Sequence, residues 1–277
     1  MKPFNVGIQL YGVRESMAAD FEGTLRAVRD MGYTHVEFAG YFGKSSAYIR
    51  ELLATLGLTC SSVHQRPDFF DADPDAACAF LKDFGVRYAV IPWYDVDALV
   101  GERREETLAY LQRTADMLRA HGMTLGYHNH EFEFARDGGK TLHEHIFDAI
   151  AADRIVPELD TCWVRYAGQS PAAQILKFKG RVPIVHLKDF TGTPGDGPAY
   201  ELIGKGEDGK TVAAARPSDF AFCPVGYGCQ DFASILAACE EAGTETLIVE
   251  QDRTYGGMSE LEAARLSREY LRSTFSI

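Results

Sequence analysis

Short apolar runs rich in β-forming residues alternate with longer helical patterns along almost the whole chain, and this alternation restricts the fold more than any other feature. The eight strand-like runs are NVGIQL (5–10), HVEFA (35–39), LTCSSVH (58–64), YAVIPW (88–93), TLGYHN (124–129), IVPELD (155–160), PIVHLK (183–188) and TLIVEQ (246–251). Strict alternation of strand and helix predicts a parallel sheet with right-handed crossovers. Eight such units in 277 residues predict an α/β fold, a single (β/α)8 TIM barrel, with an open doubly wound sheet as the alternative.

The segments between these runs carry helix signals. DFEGTLRAVRDMG (20–32) repeats apolar residues at helical spacing and ends on a glycine suited to a C-cap. EETLAYLQRTADMLRAHG (105–122) is a second helix candidate. SELEAARLSREYLRSTF (259–275) opens with a Ser-x-x-Glu capping box. Each of these three segments is predicted to form one helix of the layer outside the barrel.

One segment, from about residue 190 to about residue 230, interrupts the alternation. It is rich in Gly and Pro (TGTPGDGPAY, GKGEDGK, CPVGYGCQ) and is too long for an ordinary loop between strand and helix. Because it follows the seventh strand, a barrel would place it over the face that carries active sites. We therefore interpret it as a lid-like insertion in a single domain spanning residues 1–277.

Charge and composition exclude several classes of protein. With 28 basic and 40 acidic residues, the formal net charge of −12 disfavours contact with nucleic acid or anionic lipid. No apolar run approaches the roughly 20 residues that a membrane span needs, and the first residues lack the layout of a signal peptide. Six scattered cysteines without a C-x-x-C pair predict reduced thiols in a cytoplasmic protein.

Polar side chains fall at the carboxyl ends of the predicted strands, where TIM-barrel active sites lie. In chain order they are His64, Trp93, His128, His130, Glu133, Glu158, Asp160, His186, Lys188, Glu250 and Asp252. A single polar residue at the end of a strand is more often simply hydrogen-bonded or solvated than functional. Many histidines and carboxylates at the same rim of the barrel are hard to explain by solvation. Carboxylates suit Mn²⁺ or Mg²⁺ and imidazoles suit Zn²⁺, Co²⁺ or Mn²⁺, so the pattern predicts a divalent-metal site. The chain has neither a G-x-S-x-G elbow nor a G-x-G-x-x-G turn that leads from a strand into a helix, which removes the obvious serine-hydrolase and dinucleotide interpretations.

At these strand ends the sequence resembles the xylose isomerase-like TIM-barrel superfamily. That group includes sugar phosphate isomerases and epimerases, inosose dehydratases and an apurinic endonuclease branch, and it binds metal through Glu, Asp, His and Glu on strands five to eight. ELDTCW supplies Asp160, VHLKDF supplies His186 and IVEQD supplies Glu250, and PVGYGCQDF resembles the family's Gly-x-Gly segment. The resemblance extends over nearly the full chain.

Two positions depart from the family pattern. His128 stands where strand five carries glutamate, and Trp163 stands where a histidine follows the Asp-Thr pair. Glu158 shares a strand face with Asp160, so it could replace the missing carboxylate or hydrogen-bond His128. The metal ligands predicted by the resemblance are Glu158, Asp160, His186 and Glu250. Whether His128 or Glu158 is the fourth ligand stays open.

The motifs GYHNH…EF and ELDTCW are most similar to the subgroup of inosose dehydratase relatives and enzymes acting on 3-keto-glycosides. The resemblance implies a small-molecule sugar or polyol carrying a ketone, and a metal-dependent isomerase, epimerase or lyase that works through an enediolate. It implies a divalent metal, manganese first, with magnesium, cobalt or zinc as alternatives. A homo-oligomer is also expected by resemblance. The residues expected to act in catalysis are His128, His130, Lys188 and Glu250, and those expected to bind substrate are His64, Trp93, Trp163 and Glu133.

Several alternatives stay open at this point. Lys188 could instead form a surface ion pair with Asp189, and the aromatic residues could simply pack at the barrel rim. A DNA-repair nuclease would share the fold, but the acidic charge disfavours it. An enzyme that cleaves 3-keto-glycosides, or an inactive sugar-binding barrel, would also fit the sequence, since a fold does not dictate a function.

Overall fold

The computed structural model describes residues 4–193, 219–254 and 256–277. Eight parallel strands form a closed barrel in which each strand pairs with the next and the eighth pairs with the first. The strands are β1 Asn5–Gln9, β2 His35–Phe38, β3 Thr59–His64, β4 Tyr88–Ile91, β5 Thr124–His128, β6 Ile155–Asp160, β7 Ile184–Leu187 and β8 Thr246–Val249. The predicted TIM barrel is confirmed, each strand lying inside its predicted run, and the open-sheet alternative is wrong.

Helices cover the outside of the barrel. Among the described residues they are α1 Arg14–Ala19, α2 Phe21–Asp30, α3 Ser46–Leu56, α4 Pro74–Asp83, α5 Gly101–Ala120, α6 Leu142–Ala149, α7 Thr161–Tyr166, α8 Pro171–Lys177, α9 Phe232–Ala242 and α10 Glu260–Phe275. Gly32 adopts a left-handed φ of 98° after α2, as predicted, and the Ser259 side chain accepts a hydrogen bond from the Glu262 N–H, which is one of the two bonds of the predicted capping box. With helices on the outside and side chains filling the inside, the strands are buried on both faces.

An irregularity between β2 and β3 affects the interior of the barrel. The register shifts after Val36, which pairs with Cys60, so that Glu37 pairs with Ser62. Glu37 is fully buried, and the Ser62 hydroxyl donates a hydrogen bond to its carboxylate. The shift therefore brings a buried carboxylate and a donor together inside the barrel.

The chain after β7 forms a short antiparallel pair outside the barrel. Asp189–Thr191 pairs with Ala221–Cys223, and the rings of Phe190 and Phe220 stack at 4.9 Å. Most of the lid-like insertion predicted at 190–230 lies outside the described residues. All six cysteines are free thiols, as predicted. Within the described residues no helix has the length and apolar composition needed to span a membrane.

Stability should depend on pH through His143, which is buried in α6 against the rings of Phe134, Phe147 and Phe178. Burial lowers the pKa of His143 to about 3, below the roughly 6.5 of an unfolded chain. Because the unfolded state then binds the extra proton, His143 contributes stability above pH 6.5 that is lost as the pH falls towards 3. The loss approaches about 1.4 kcal/mol per pH unit.

We expect His143→Leu to weaken this dependence. The free energy of unfolding, from urea titrations at pH 6.5, 5.5 and 4.5, should fall less steeply for the variant than for the wild type. His121→Gln, which changes a surface histidine paired with Asp75, should keep the wild-type slope. Parallel curves for His143→Leu and the wild type would contradict the prediction.

Candidate active site

Charged and imidazole side chains from six strands converge at the carboxyl end of the barrel. Those in mutual contact are Glu37, His64, His128, Glu158, Asp160, His186, Lys188, Glu250 and Asp252. Nearly all are buried, and His64 is the most accessible of them. Seven of the residues predicted to act in catalysis, bind metal or bind substrate thus lie in one cluster, namely His64, His128, Glu158, Asp160, His186, Lys188 and Glu250.

The Glu158 carboxylate lies at the centre of three imidazoles. Its Oε2 is 2.6 Å from His64 Nε2, 3.0 Å from His128 Nδ1 and 3.2 Å from His186 Nε2. Burial by itself would raise the pKa of Glu158, but His186 and His64 hold it well below its usual range. Burial also lowers the pKa of His128 to about 4. A single carboxylate is therefore shared by three rings.

Glu37 adds a second carboxylate on the same side. Its Oε1 is 3.0 Å from both His64 Nε2 and His186 Nε2, and it accepts a hydrogen bond of 2.5 Å from Gln9 Nε2. Burial disfavours the charged form of His64, yet Glu37 and Glu158 raise its pKa to about 10. Glu37 was absent from the predicted site. The signal that could have found it is a carboxylate inside a strand buried on both faces, which requires partners.

The Lys188 ammonium is held by three other carboxylates. Its Nζ is 2.5 Å from Asp252 Oδ2, 3.2 Å from Glu250 Oε2 and 3.5 Å from Asp160 Oδ2. It also lies 4.9 Å from the centre of the Trp163 ring. Burial would lower the pKa of Lys188, but the carboxylates keep it well above its usual value.

The alternative of a surface ion pair between Lys188 and Asp189 is wrong. Lys188 is only 1% exposed, and the Asp189 carboxylate instead accepts backbone N–H groups. Successive side chains of an extended segment point to opposite faces, so neighbours in sequence cannot pair here. Lys188 belongs to the cluster and Asp189 to the segment that follows it.

Asp160 connects the cluster to α7. Its Oδ1 accepts a 3.0 Å hydrogen bond from Trp163 N and caps that helix, while its backbone N–H donates to Asn129 Oδ1. Burial raises the pKa of Asp160 to about 7, against the opposing effect of Lys188. Across the cluster, Glu250 Oε2 lies 3.0 Å from His186 Nδ1.

The other predicted residues surround the cluster. His130 packs against His128 at a centroid distance of 5.3 Å, and its Nδ1 has no hydrogen-bond partner among the described residues. Both oxygens of Glu133 are taken by Tyr127 Oη and His130 N, so this carboxylate fixes the loop that carries His130. Burial raises the pKa of Glu133 to about 8. Trp163 is fully buried beneath Lys188.

Trp93 is a predicted residue that makes no described contact with this arrangement. It follows the end of β4 and is 36% exposed, and none of the cluster contacts involves it. The two tryptophans thus differ, since Trp163 is buried against Lys188 whereas Trp93 is exposed in the loop after β4.

Comparison with known proteins agrees with this architecture. The family model described as xylose isomerase-like TIM barrel matches residues 25–274. The chain belongs to the xylose isomerase-like TIM-barrel family. The resemblance inferred from the strand ends is thereby confirmed.

Relatives within and around this family cover nearly the whole chain. The rhizopine catabolism protein MocC of Rhizobium meliloti is 22% identical in an alignment 271 residues long that covers 90% of this chain and 80% of that protein. A sugar phosphate isomerase/epimerase structure from Parabacteroides distasonis superposes with a TM-score of 0.75 at 19% identity, covering 99% of this chain and 95% of the other. The probable 3-DHS dehydratase AsbF of Bacillus anthracis gives a TM-score of 0.71 at 11% identity, covering 97% and 98%. At these identities the superpositions establish the fold.

Members of this family often bind a divalent metal, and the residues present here fit one. Two overlapping sets have ligand atoms within 4.8 Å of one another: His64, His128, Glu158 and His186, and His128, Asp160, His186 and Glu250. Within the described part of the chain, three buried polar atoms of these sets lack a hydrogen-bond partner, namely Glu158 Oε1, Asp160 Oδ2 and His186 Nε2. Buried polar atoms are normally hydrogen-bonded, so buried nitrogen and oxygen atoms of these sets that make no hydrogen bond favour a cation.

Proposed function

We propose that this protein is a divalent-metal-dependent isomerase, epimerase or lyase that acts on a keto-sugar or keto-polyol through an enediolate. The observation that carries the proposal is the buried convergence of imidazole and carboxylate groups at the carboxyl end of a family barrel. The names of its relatives point to the same substrate class, since they include a rhizopine catabolism protein and a sugar phosphate isomerase/epimerase.

Either of the two overlapping donor sets can hold the ion. Three of the four ligands predicted from the sequence, Asp160, His186 and Glu250, belong to one set, whereas Glu158 belongs to the other. When bound, a divalent cation supplies Lewis acidity that polarises a ketone and stabilises negative charge. Manganese is the first candidate, with magnesium, cobalt and zinc as alternatives.

The chain's own groups would handle the proton and the charge. Glu250 and His130 are the candidates to take the proton from the carbon next to the ketone, because both lie at the slightly accessible edge of the cluster. The Lys188 ammonium provides a fixed positive charge for the developing oxyanion. His64, the most accessible imidazole of the cluster, is our candidate to contact a substrate hydroxyl if it does not bind the ion.

The same first step leads to different products. Return of the proton to another carbon or to the other face gives isomerisation or epimerisation. Loss of a leaving group from the next carbon gives dehydration, or cleavage of a 3-keto-glycoside. Proton transfer next to a ketone is common to all of these outcomes and is therefore the step to measure.

Hydrogen exchange tests the proposal. Protein loaded with Mn²⁺ in D₂O is incubated with a panel of ketoses, inososes and 3-keto-glycosides and followed by proton NMR. We expect deuterium to enter next to the ketone of at least one substrate, and the product to identify the reaction. Glu250→Gln should slow the exchange by about 100-fold or more, because the variant cannot take the proton.

The matched control is Glu245→Gln. Glu245 lies just before the start of β8 and forms an exposed ion pair with Arg87. The Glu245→Gln variant should therefore exchange substrate protons at the wild-type rate. A protein that holds its metal but exchanges no proton in any substrate would contradict the enediolate mechanism and favour the inactive sugar-binding barrel.

A further inference from the structure

Two buried rings beside the charged cluster each carry a nitrogen that lacks a hydrogen-bond partner in the described part of the chain. These nitrogens are His130 Nδ1 and Trp163 Nε1, and the centroids of the two rings lie 5.5 Å apart. His130 is 9% exposed, and Trp163 is fully buried. Buried polar groups are normally paired, so two neighbouring rings with unpaired nitrogens indicate a place where a ligand supplies the missing partner.

The position of His130 is fixed without its Nδ1. The backbone N–H of His130 donates a 2.8 Å hydrogen bond to Glu133 Oε2, and Tyr127 Oη donates to the other oxygen of the same carboxylate at 2.9 Å. The His130 ring stacks on Phe132 at a centroid distance of 6.0 Å, with 8° between the ring planes. The imidazole is therefore held in place while its Nδ1 remains available for a ligand.

Trp163 is held in a similar way. Its backbone N–H donates to Asp160 Oδ1 at 3.0 Å, and its ring packs edge-on against Tyr166 at 5.7 Å and Phe222 at 5.6 Å. The Lys188 ammonium lies 4.9 Å from the centre of the indole ring. An ordered indole thus lies directly beside the charged cluster.

The two nitrogens differ in what they can bind. An indole N–H only donates, unlike the histidine that the family pattern has at position 163, so Trp163 requires an acceptor. Among the described residues, the ion pairs of the cluster involve the other imidazoles and not His130, and a buried ring without a carboxylate partner stays neutral. No described carbonyl holds a proton on His130 Nδ1, so this nitrogen can accept a hydrogen bond.

We propose that His130 and Trp163 together bind one hydroxyl group of the substrate, which accepts a hydrogen bond from Trp163 Nε1 and donates one to His130 Nδ1. A hydroxyl can donate and accept at once, whereas a ketone oxygen or a phosphate oxygen without a proton only accepts. An oxygen about 2.9 Å from each of two nitrogens can join nitrogens up to about 5.8 Å apart, which suits rings at this spacing.

The inference rests on the proposed function and specifies its substrate. The keto-sugar or keto-polyol carries a free hydroxyl, and not a phosphate, at the position that meets these two rings. His130 is then a residue that binds substrate, and Glu250 is left as the group that takes the proton.

NMR of the tryptophan indoles tests the inference. The chain has two tryptophans, and exposed Trp93 makes no described contact with the cluster, so it provides an internal reference. Protein labelled with 15N and loaded with Mg²⁺, which does not broaden the signals, is titrated with the alditols, inositols and glycosides obtained by reducing the ketones of the panel. We expect the Trp163 indole signal to move downfield with at least one of these polyols and the Trp93 signal to stay in place.

Two variants remove one nitrogen each and keep a flat ring. Trp163→Phe and His130→Phe should each weaken binding of that polyol, measured by calorimetry, by about 10-fold. Trp93→Phe and His143→Phe are the matched controls and should bind it as the wild type does. His143 Nε2 is also buried without a described hydrogen-bond partner, but it lies in α6 among phenylalanine rings. Circular dichroism and thermal melting check that each variant is folded, and the wild-type NMR titration stands without them.

Deoxy derivatives of the bound polyol show whether one hydroxyl meets both rings. The derivative that lacks this hydroxyl should bind the wild type about 10-fold more weakly, and Trp163→Phe and His130→Phe should bind that derivative no worse than the wild type does. If the losses in the two variants vanish with two different derivatives, the rings contact different hydroxyls and the inference is overturned.

The outcomes separate this inference from the proposed function. Proton exchange into a ketone substrate, together with a Trp163 signal that its reduced polyol does not move, would overturn the inference and leave the enzyme. A Trp163 signal that moves, without proton exchange into any ketone, would support the hydroxyl site and contradict the enediolate mechanism. Neither exchange nor a shifted signal would overturn both.

Discussion

Replacing Lys188 with methionine is expected to lower kcat by about 10²–10³-fold and the free energy of unfolding by about 3–5 kcal/mol. The ammonium lies within 3.5 Å of carboxylate oxygens on Asp160, Glu250 and Asp252. Methionine has nearly the same length and can pack against the Trp163 ring, so the change removes the charge and little of the volume. Three buried carboxylates would then lose the ammonium that compensates their charge. Uncompensated buried charge lowers the free energy of unfolding.

Proton exchange into a substrate that the wild type accepts measures the first effect, and urea denaturation measures the second. Lys140→Met is the matched control, because the Lys140 ammonium also lies 2.8 Å from a carboxylate, that of Asp148, but at the protein surface. That variant should match the wild type in both measurements. A Lys188→Met protein with wild-type stability and activity would show that the ammonium is dispensable.

The barrel was predictable because its strands are buried on both faces. A parallel strand between helices and a packed interior reads as a nearly continuous apolar run, and eight such runs separated by helical patterns leave few alternatives. The residues at which the strands end were less well predicted. The run at 88–93 ends in Trp93, whereas β4 ends at Ile91, because a sequence pattern cannot separate the last strand residues from the loop that follows.

Which site residues contact each other could not be predicted in the same way. His64 was expected to meet a substrate hydroxyl, yet it lies 2.6 Å from Glu158, 94 residues further along the chain. Strand pairing alone does not bring them together, because β3 and β6 are not neighbours in the barrel. Their contact depends on side-chain lengths across the interior. Sequence reasoning placed both residues at the correct rim and could not assign partners.

Local interactions that depend on backbone geometry were also missed. The glycine segment PVGYGCQ was identified by family resemblance alone, without a physical reason for its glycines. In the structure the N–H groups of Gly226 and Gly228 both donate to Asp189 Oδ2, and those of Phe190 and Gln230 donate to Oδ1. A Cβ on Gly228 would lie 2.3 Å from Asp189 Oδ1. Gly228 is required by the close approach of this carboxylate, whereas Gly226 has a left-handed φ of 91° and lies against the Tyr270 ring.

This arrangement makes Asp189→Ala a second variant with a large expected effect. Asp189 is 1% exposed and its carboxylate accepts four backbone N–H groups at 2.9–3.2 Å, so its removal leaves these donors, among them the N–H of buried Phe190, without this acceptor. We expect the free energy of unfolding to fall by about 3–5 kcal/mol. Activity should fall as well, because Gln230 in the same segment donates to the backbone oxygen of Lys188.

Gly228→Ala should disturb the same contact from the other side. The added Cβ would meet Asp189 Oδ1 and Phe190 O at 2.3 Å each, so the segment must move away from the carboxylate. Gly40→Ala is the matched control, since nothing lies within 4 Å of a Cβ at that position and its φ is not left-handed. Urea denaturation should show similar losses for Asp189→Ala and Gly228→Ala and no loss for Gly40→Ala. If Asp189→Ala instead unfolds at the wild-type urea concentration, the four N–H groups must find water or other acceptors, and the carboxylate does not hold this segment to the barrel.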